Sequence, residues 1–142
     1  MVKAAALGVM RTLARTPLGE RLRFEVEADD ALAIEMDPDD LNEVIGNLIE
    51  NAARVARETV RIRANLIRDQ VRIEVSDDGP GVDCTKFARL VERGRLDEAA
   101  GSAGLGLAIV ADILEAYGAK PELGVSNLGG LGVSFTVRVR IR

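Results

Sequence analysis

The chain is expected to fold as an α/β two-layer sandwich, with a mixed, mostly antiparallel sheet and its helices on one face. Three observations support this. Most segments with two-residue periodicity alternate apolar with charged residues, as Leu22, Phe24 and Val26 do with Arg21, Arg23, Glu25 and Glu27. Such strands have one dry and one wet side. Two segments with helical periodicity, 37–57 and 105–117, each carry an apolar stripe able to cover the dry side. At 142 residues, 47% of them apolar, the chain suits one domain with a proper core.

Residues 3–15 read as a short helix ended by Thr16-Pro17-Leu18-Gly19. The spacing sets residues 1–19 apart as the stub of a preceding helix, with the domain proper spanning 20–142. The strand at 22–26 is followed, after a turn at Asp29-Asp30, by a second short strand from Leu32 to Met36. Asp37-Pro38 then marks a helix start, an N-cap acid before Pro at the first helical position, with Asp39 and Asp40 in the positive first turn. That helix should run to about Arg57, with Leu41, Val44, Ile45, Leu48, Ile49, Ala52 and Ala56 as its buried stripe. Val60 to Leu66 and Val71 to Ser76 form two strands around a tight turn at Arg68-Asp69. Residues 77–103 carry little periodic signal beyond a possible helix at 85–92. A second amphipathic helix covers 105–117, and strands at 122–126 and 133–141 close the chain. Gly129-Gly130-Leu131-Gly132 reads as the hairpin turn between them, without a direct site role.

Composition removes several classes of function. No apolar run approaches the roughly 18–20 residues of a membrane span. One cysteine, Cys84, and no histidine exclude an internal disulfide and a cysteine-rich zinc site, so any metal would be held by oxygen, which points to Mg²⁺ or Ca²⁺ rather than zinc. A net charge of −4 argues against nucleic acid as a partner.

Three short motifs carry the chemistry. On the 37–57 helix, Asn47, Glu50, Asn51 and Arg54 fall at i, i+3, i+4 and i+7, one line separate from the apolar stripe. Two amides, an acid and a cation on one line suit a Mg²⁺-triphosphate, although four polar residues alone more often mark a solvated helix face. Asp77 ends a strand, and Asp78-Gly79-Pro80-Gly81 breaks it. A carboxylate there can accept the exocyclic amine of adenine while the glycines let the backbone pass close to the base. Gly101, Gly104 and Gly106 lead into the 105–117 helix, whose unpaired N–H groups and dipole favour an anion. No Lys follows the last glycine, so this is not a P-loop.

In this order the motifs resemble those of the catalytic ATP-binding domain of bacterial sensor histidine kinases, in the GHKL superfamily with gyrase, the mismatch-repair ATPases and a heat-shock chaperone. The N box matches Asn47 to Arg54, the first glycine box Asp77 to Gly81, and the second Gly104 to Leu107. The resemblance runs from about Leu22 to the end and implies the GHKL ATPase fold, with ATP and Mg²⁺ as ligands. It implies that Asn51 binds Mg²⁺ with Asn47 beside it, and that Glu50, with Asn47, acts around the γ-phosphate. Arg54 would touch phosphate, Asp77 would hold the adenine amine, and Gly79 and Gly81 would line the base pocket. Gly104, Leu105 and Gly106 would face the phosphates. Arg93-Gly94-Arg95-Leu96-Asp97-Glu98 resembles a short ATP lid, making Arg93 and Arg95 candidate phosphate contacts. Val55 departs from the aromatic common after the basic residue, Ser102 from the usual first glycine of the second box, and the lid's aromatic motif is reduced to Phe87.

The resemblance further implies transfer of the γ-phosphoryl group to a histidine. Because the chain has none, the acceptor would lie on a histidine-bearing dimerisation domain of the same parent, whose connecting helix residues 1–19 would end. A response regulator would act downstream. The domain is expected to be monomeric and cytoplasmic, whether or not its parent is anchored in the inner membrane. Within the superfamily, a gyrase-like or chaperone-like ATPase, an anti-sigma-type protein serine kinase and an inactive ATP-binding regulator are the alternatives.

Overall fold

The computed structural model describes residues 2–79 and 102–140, and all their side chains except those of 102–105. The elements are α1 (Val2–Ala14), α2 (Pro17–Glu20), β1 (Arg23–Glu27), α3 (Pro38–Val55), β2 (Thr59–Ile67), β3 (Gln70–Asp77), α4 (Ser102–Glu115), β4 (Glu122–Val125) and β5 (Leu131–Arg138). The sheet runs β1-β2-β3-β5-β4. β1 lies parallel to β2, and the other neighbours are antiparallel, so the sheet is mixed and mostly antiparallel as expected.

Alternation sets the two layers. Val60, Ile62 and Ala64 of β2, Val71, Ile73 and Val75 of β3, and Val133, Phe135 and Val137 of β5 are buried in one core. The intervening residues form an ionic layer on the other face. Parallel β1 is held in register there by charge as well as by backbone: Glu25 stands opposite Arg61 and Glu27 opposite Arg63. The Arg61–Glu25 and Arg63–Glu27 ion pairs measure 2.6 and 2.7 Å. A slip of one residue would put both acids into the core.

α3 lies between α1 and α4 and packs on β2 and β3. It begins as the sequence indicates. The Asp37 carboxylate caps the Asp39 amide at 2.8 Å, and Pro38 occupies the first turn. Every residue of the expected apolar stripe is buried, with Ala53 added. The helix ends at Val55, two residues before the expected Arg57. Asp78 is responsible: its carboxylate accepts the amides of Arg57, Glu58 and Thr59 at 2.8–3.1 Å, pulling them out of the helical ladder.

The expected strand at 32–36 does not form. Only Ile34 bridges, to Val139, because the chain must bend at residues 35–36 to reach the cap at Asp37. α1 is not a detached element. Its Val2, Ala6 and Met10 are buried in the same core as α3 and the sheet, although the sequence sets residues 1–19 apart. Among the described residues no helix is long and apolar enough to cross a membrane.

Candidate functional site

α3 presents two kinds of side chain beside its buried stripe. Asn47 and Asn51 face α4. Glu50 and Arg54 pair with each other at 2.7 Å on the more exposed flank. The expected single line of four is thus divided into an amide pair and an ion pair one step around the helix. Asn47 donates its Nδ2 hydrogen to the Glu43 carbonyl at 2.8 Å, which fixes the amide and turns its oxygen outward from that bond. Asn51 has no such local partner. Its Nδ2 is buried and, among the described residues, finds no acceptor, a condition that costs free energy unless something else completes the site.

What brings α4 against these amides is Gly106. A Cβ there would stand 3.0 Å from both the Nδ2 and Oδ1 atoms of Asn51 and 3.3 Å from the Oδ1 of Asn47. The absent side chain is therefore what allows the start of α4 to rest on the N box. The expectation that the glycines precede this helix is corrected: α4 already begins at Ser102, which places Gly104, Leu105 and Gly106 within its first turns. The amides lacking an intrahelical acceptor are those at the very start of the helix, residues 102–105, rather than those after Gly106.

Asp77 is the last residue of β3 and is 2% exposed. Its Oδ1 accepts the amide of Gly79 at 2.8 Å and that of Leu131 at 3.3 Å. Burial pushes its carboxyl above the usual aspartate value, and these two amides pull it only part of the way back. Gly79 lies over the end of α3, where a Cβ would come within 2.3 Å of the Val55 carbonyl oxygen. Val55 is four residues beyond Asn51, about one turn, so the strand-end acid and the N box share one end of the sandwich. Neighbouring Asp78 differs. Slight burial raises its carboxyl, but the amides of Glu58, Thr59 and Arg57 outweigh that and hold it below the usual range. It is a structural clasp.

Gly129-Gly130-Leu131-Gly132 is expected to be a hairpin turn without a direct site role. The turn is present, but its residues touch Asp77 through Gly130, Leu131 and Ser126. No signal in the sequence links the two segments, which lie about fifty positions apart. Gly81, Arg93, Arg95 and Phe87 fall outside the described residues, as do the whole expected lid at 93–98 and the possible helix at 85–92. An open groove of about 660 Å³ between α1 and α3 reaches Asn47 and Glu50 at one end.

The donor set decides which ligand could fit. Among the described residues no three His, Cys, Asp or Glu side chains converge, so a divalent ion would rest on amide oxygens, water and its ligand's own phosphates. Asn47 and Asn51 suit that role, and the Asn51 Nδ2, without an acceptor among the described residues, fits a site completed by a polar ligand.

Comparison with known proteins shows the family and the fold. The family model described as histidine kinase-, DNA gyrase B-, and HSP90-like ATPase matches residues 36–142. The sensor protein kinase CarS of Pseudomonas aeruginosa is 42% identical over 117 residues, 82% of this chain but 26% of CarS. Among solved structures, the mycobacterial sensor histidine kinase MprB superposes with a TM-score of 0.80 over 99% of this chain and 95% of that one, at 20% identity. Full-length ShkA, solved in complex with AMPPNP, gives a TM-score of 0.79 at 25% identity, over all of this chain and 31% of that one. The chain therefore spans about a quarter of the length of CarS.

Proposed function

The chain belongs to the histidine kinase-, DNA gyrase B-, and HSP90-like ATPase family and has the ATP-binding catalytic domain of sensor histidine kinases; from that premise we propose that it binds Mg-ATP and passes the γ-phosphoryl group to a histidine of another segment or chain. Asp77 accepts the adenine amine, and Gly79 gives the base a close approach to the backbone. Asn51, with Asn47, holds Mg²⁺, and the amides at the start of α4 receive the phosphates. Mg²⁺ supplies neutralisation of charge on the triphosphate. Glu50 orients the attacking imidazole nitrogen, with the P–N bond forming as the bond to the β-phosphate oxygen breaks. Arg54, through Glu50 or directly, adds a cation near the phosphates. Arg93 and Arg95 contact them from the lid.

The observation that carries this reading is the Asn51 Nδ2, buried against Gly106 and without an acceptor among the described residues. A donor in that position suits an oxygen-rich ligand such as a triphosphate. The chain itself offers no histidine, so the acceptor lies outside it; the family resemblance would put it on a dimerisation domain of the parent, with a response regulator downstream. Calorimetric titration with ATP tests the assignment at the base. Asp77→Asn should weaken ATP by about 1–3 kcal/mol, because an amide can set a donor against the base's own donor. Equal affinity of the two proteins would refute it.

A further inference from the structure

We propose that the β4–β5 hairpin loop, residues 126–130, together with Leu131 at the start of β5, is the positioning element of the adenine site: it orients the Asp77 carboxylate and so sets discrimination between 6-amino and 6-oxo purines. The inference rests on the reading of Asp77 as the acceptor for the adenine amine.

The ladder between β3 and β5 ends at Ser76 opposite Gly132. One residue further, Leu131 at the start of β5 takes hold of the Asp77 side chain, and the loop before it takes hold of the main chain. Gly130 donates its amide to the Asp77 carbonyl at 3.2 Å, and Leu131 donates to Oδ1 at 3.3 Å. The buried Ser126 hydroxyl donates to the same carbonyl at 2.9 Å and accepts the Leu128 amide at 2.8 Å. Ser126 also closes the loop on itself, its amide donating to the Gly130 carbonyl at 2.8 Å. With Gly79 and Leu131 both on Oδ1, Oδ2 receives no amide from the described residues, and its direction is fixed by the bonds to its twin.

Gly130 makes the grip possible. A Cβ there would lie 2.1 Å from the Asp77 Oδ1, 2.5 Å from its carbonyl oxygen and 2.7 Å from the Gly79 nitrogen. No side chain fits without turning the carboxylate and displacing the backbone at Asp77 and Gly79. A carboxylate held in one direction attracts the exocyclic amine of adenine and repels the carbonyl oxygen at the same place in hypoxanthine. A carboxylate free to turn loses that contrast. Ser126 and Gly130 are thus positioning residues that act through Asp77 without touching the base.

The test compares ATP with inosine triphosphate, which keeps the ribose and phosphates and changes only the 6-position. Dissociation constants for both are measured by calorimetry on the wild type, Ser126→Ala, Gly130→Ala and Asp77→Asn, each checked for native circular dichroism. In Ser126→Ala the preference for ATP should fall roughly 2- to 10-fold, the loss expected from one hydrogen bond, with inosine triphosphate binding essentially unchanged. Gly130→Ala should show a larger fall. If Gly130→Ala does not fold, Ser126→Ala decides alone. Equal weakening of both nucleotides, or no change in either, would overturn the proposal by reducing the loop to a structural support. If Asp77→Asn abolishes the preference while the loop variants keep it, only this inference fails. If Asp77→Asn also keeps it, the adenine reading falls and this inference with it.

Discussion

Replacing Gly106 by alanine should damage the site more than the fold. The new Cβ would sit 3.0 Å from two atoms of the Asn51 amide, where ordinary contact begins near 3.4 Å, so about 0.4 Å must be found. α4 can lift, or Asn51 can rotate. Overpacking of this order costs about 1–3 kcal/mol, while alanine in place of a helical glycine returns about 1 kcal/mol. The net loss of stability is then about 0–2 kcal/mol. Either adjustment moves the amide that the proposed Mg-ATP complex needs, and a loss of affinity of tenfold or more, about 1.4 kcal/mol, is expected. Gly8→Ala is the internal control. It lies in α1, and its Cβ would meet nothing within 4 Å, so it should gain about 1 kcal/mol and bind normally. Urea unfolding and Mg-ATP calorimetry on both variants read the two quantities separately. The reasoning is refuted if Gly106→Ala binds Mg-ATP like the wild type, or is stabilised as much as Gly8→Ala.

Three further outcomes follow from other contacts. Asn51→Ala should leave the nucleotide-free protein at least as stable as the wild type, because it removes a buried donor that has no acceptor among the described residues, while weakening Mg-ATP much more than metal-free ADP; equal losses with and without Mg²⁺ would make Asn51 purely structural. Asp78 has its carboxyl held below the usual range by the amides it clasps, so its contribution is present above the ordinary aspartate pKa and is lost as pH falls through the lowered value. In acid titrations monitored by circular dichroism, Asp78→Asn should flatten that loss, and an unchanged profile would refute the role. Tyr117, the one tyrosine in a chain without tryptophan, donates to Asp40 Oδ2 at 2.5 Å and accepts the Asp37 amide at 3.1 Å. Its hydrogen bond to Asp40 raises its pKa above the ordinary 10.0 despite the opposing Asp37 amide. Alkaline absorbance titration should show a midpoint above that of free tyrosine, with the stabilising contribution lost as pH rises through the raised value. A midpoint at or below the free value would contradict the link between the end of α4 and the cap of α3.

The sequence by itself determined the layers, the central helix and the family resemblance. These depend on periodicity and on local chemistry: the alternation in β2 and β3, the Asp37-Pro38 start of α3, the stripe from Leu41 to Ala52, and the order of the three motifs. Each can be read within a few residues of where it acts. Tertiary structure decided what depends on contacts across the chain. α3 stops at Val55 because a carboxylate some twenty residues later takes its next amides. Ile34 makes a bridge in place of a strand because Asp37 must be reached from the sheet edge. α1 enters the core because its Val2, Ala6 and Met10 find α3 and the sheet, a fate that thirteen residues of helical pattern cannot announce. The candidate site divides the same way. Asn47, Asn51 and Asp77 stand out in the sequence because their residue types suit the proposed chemistry. The grip of Ser126 and Gly130 on Asp77 does not, since a serine and a glycine in a hairpin look like any turn until the fold sets them against a buried carboxylate.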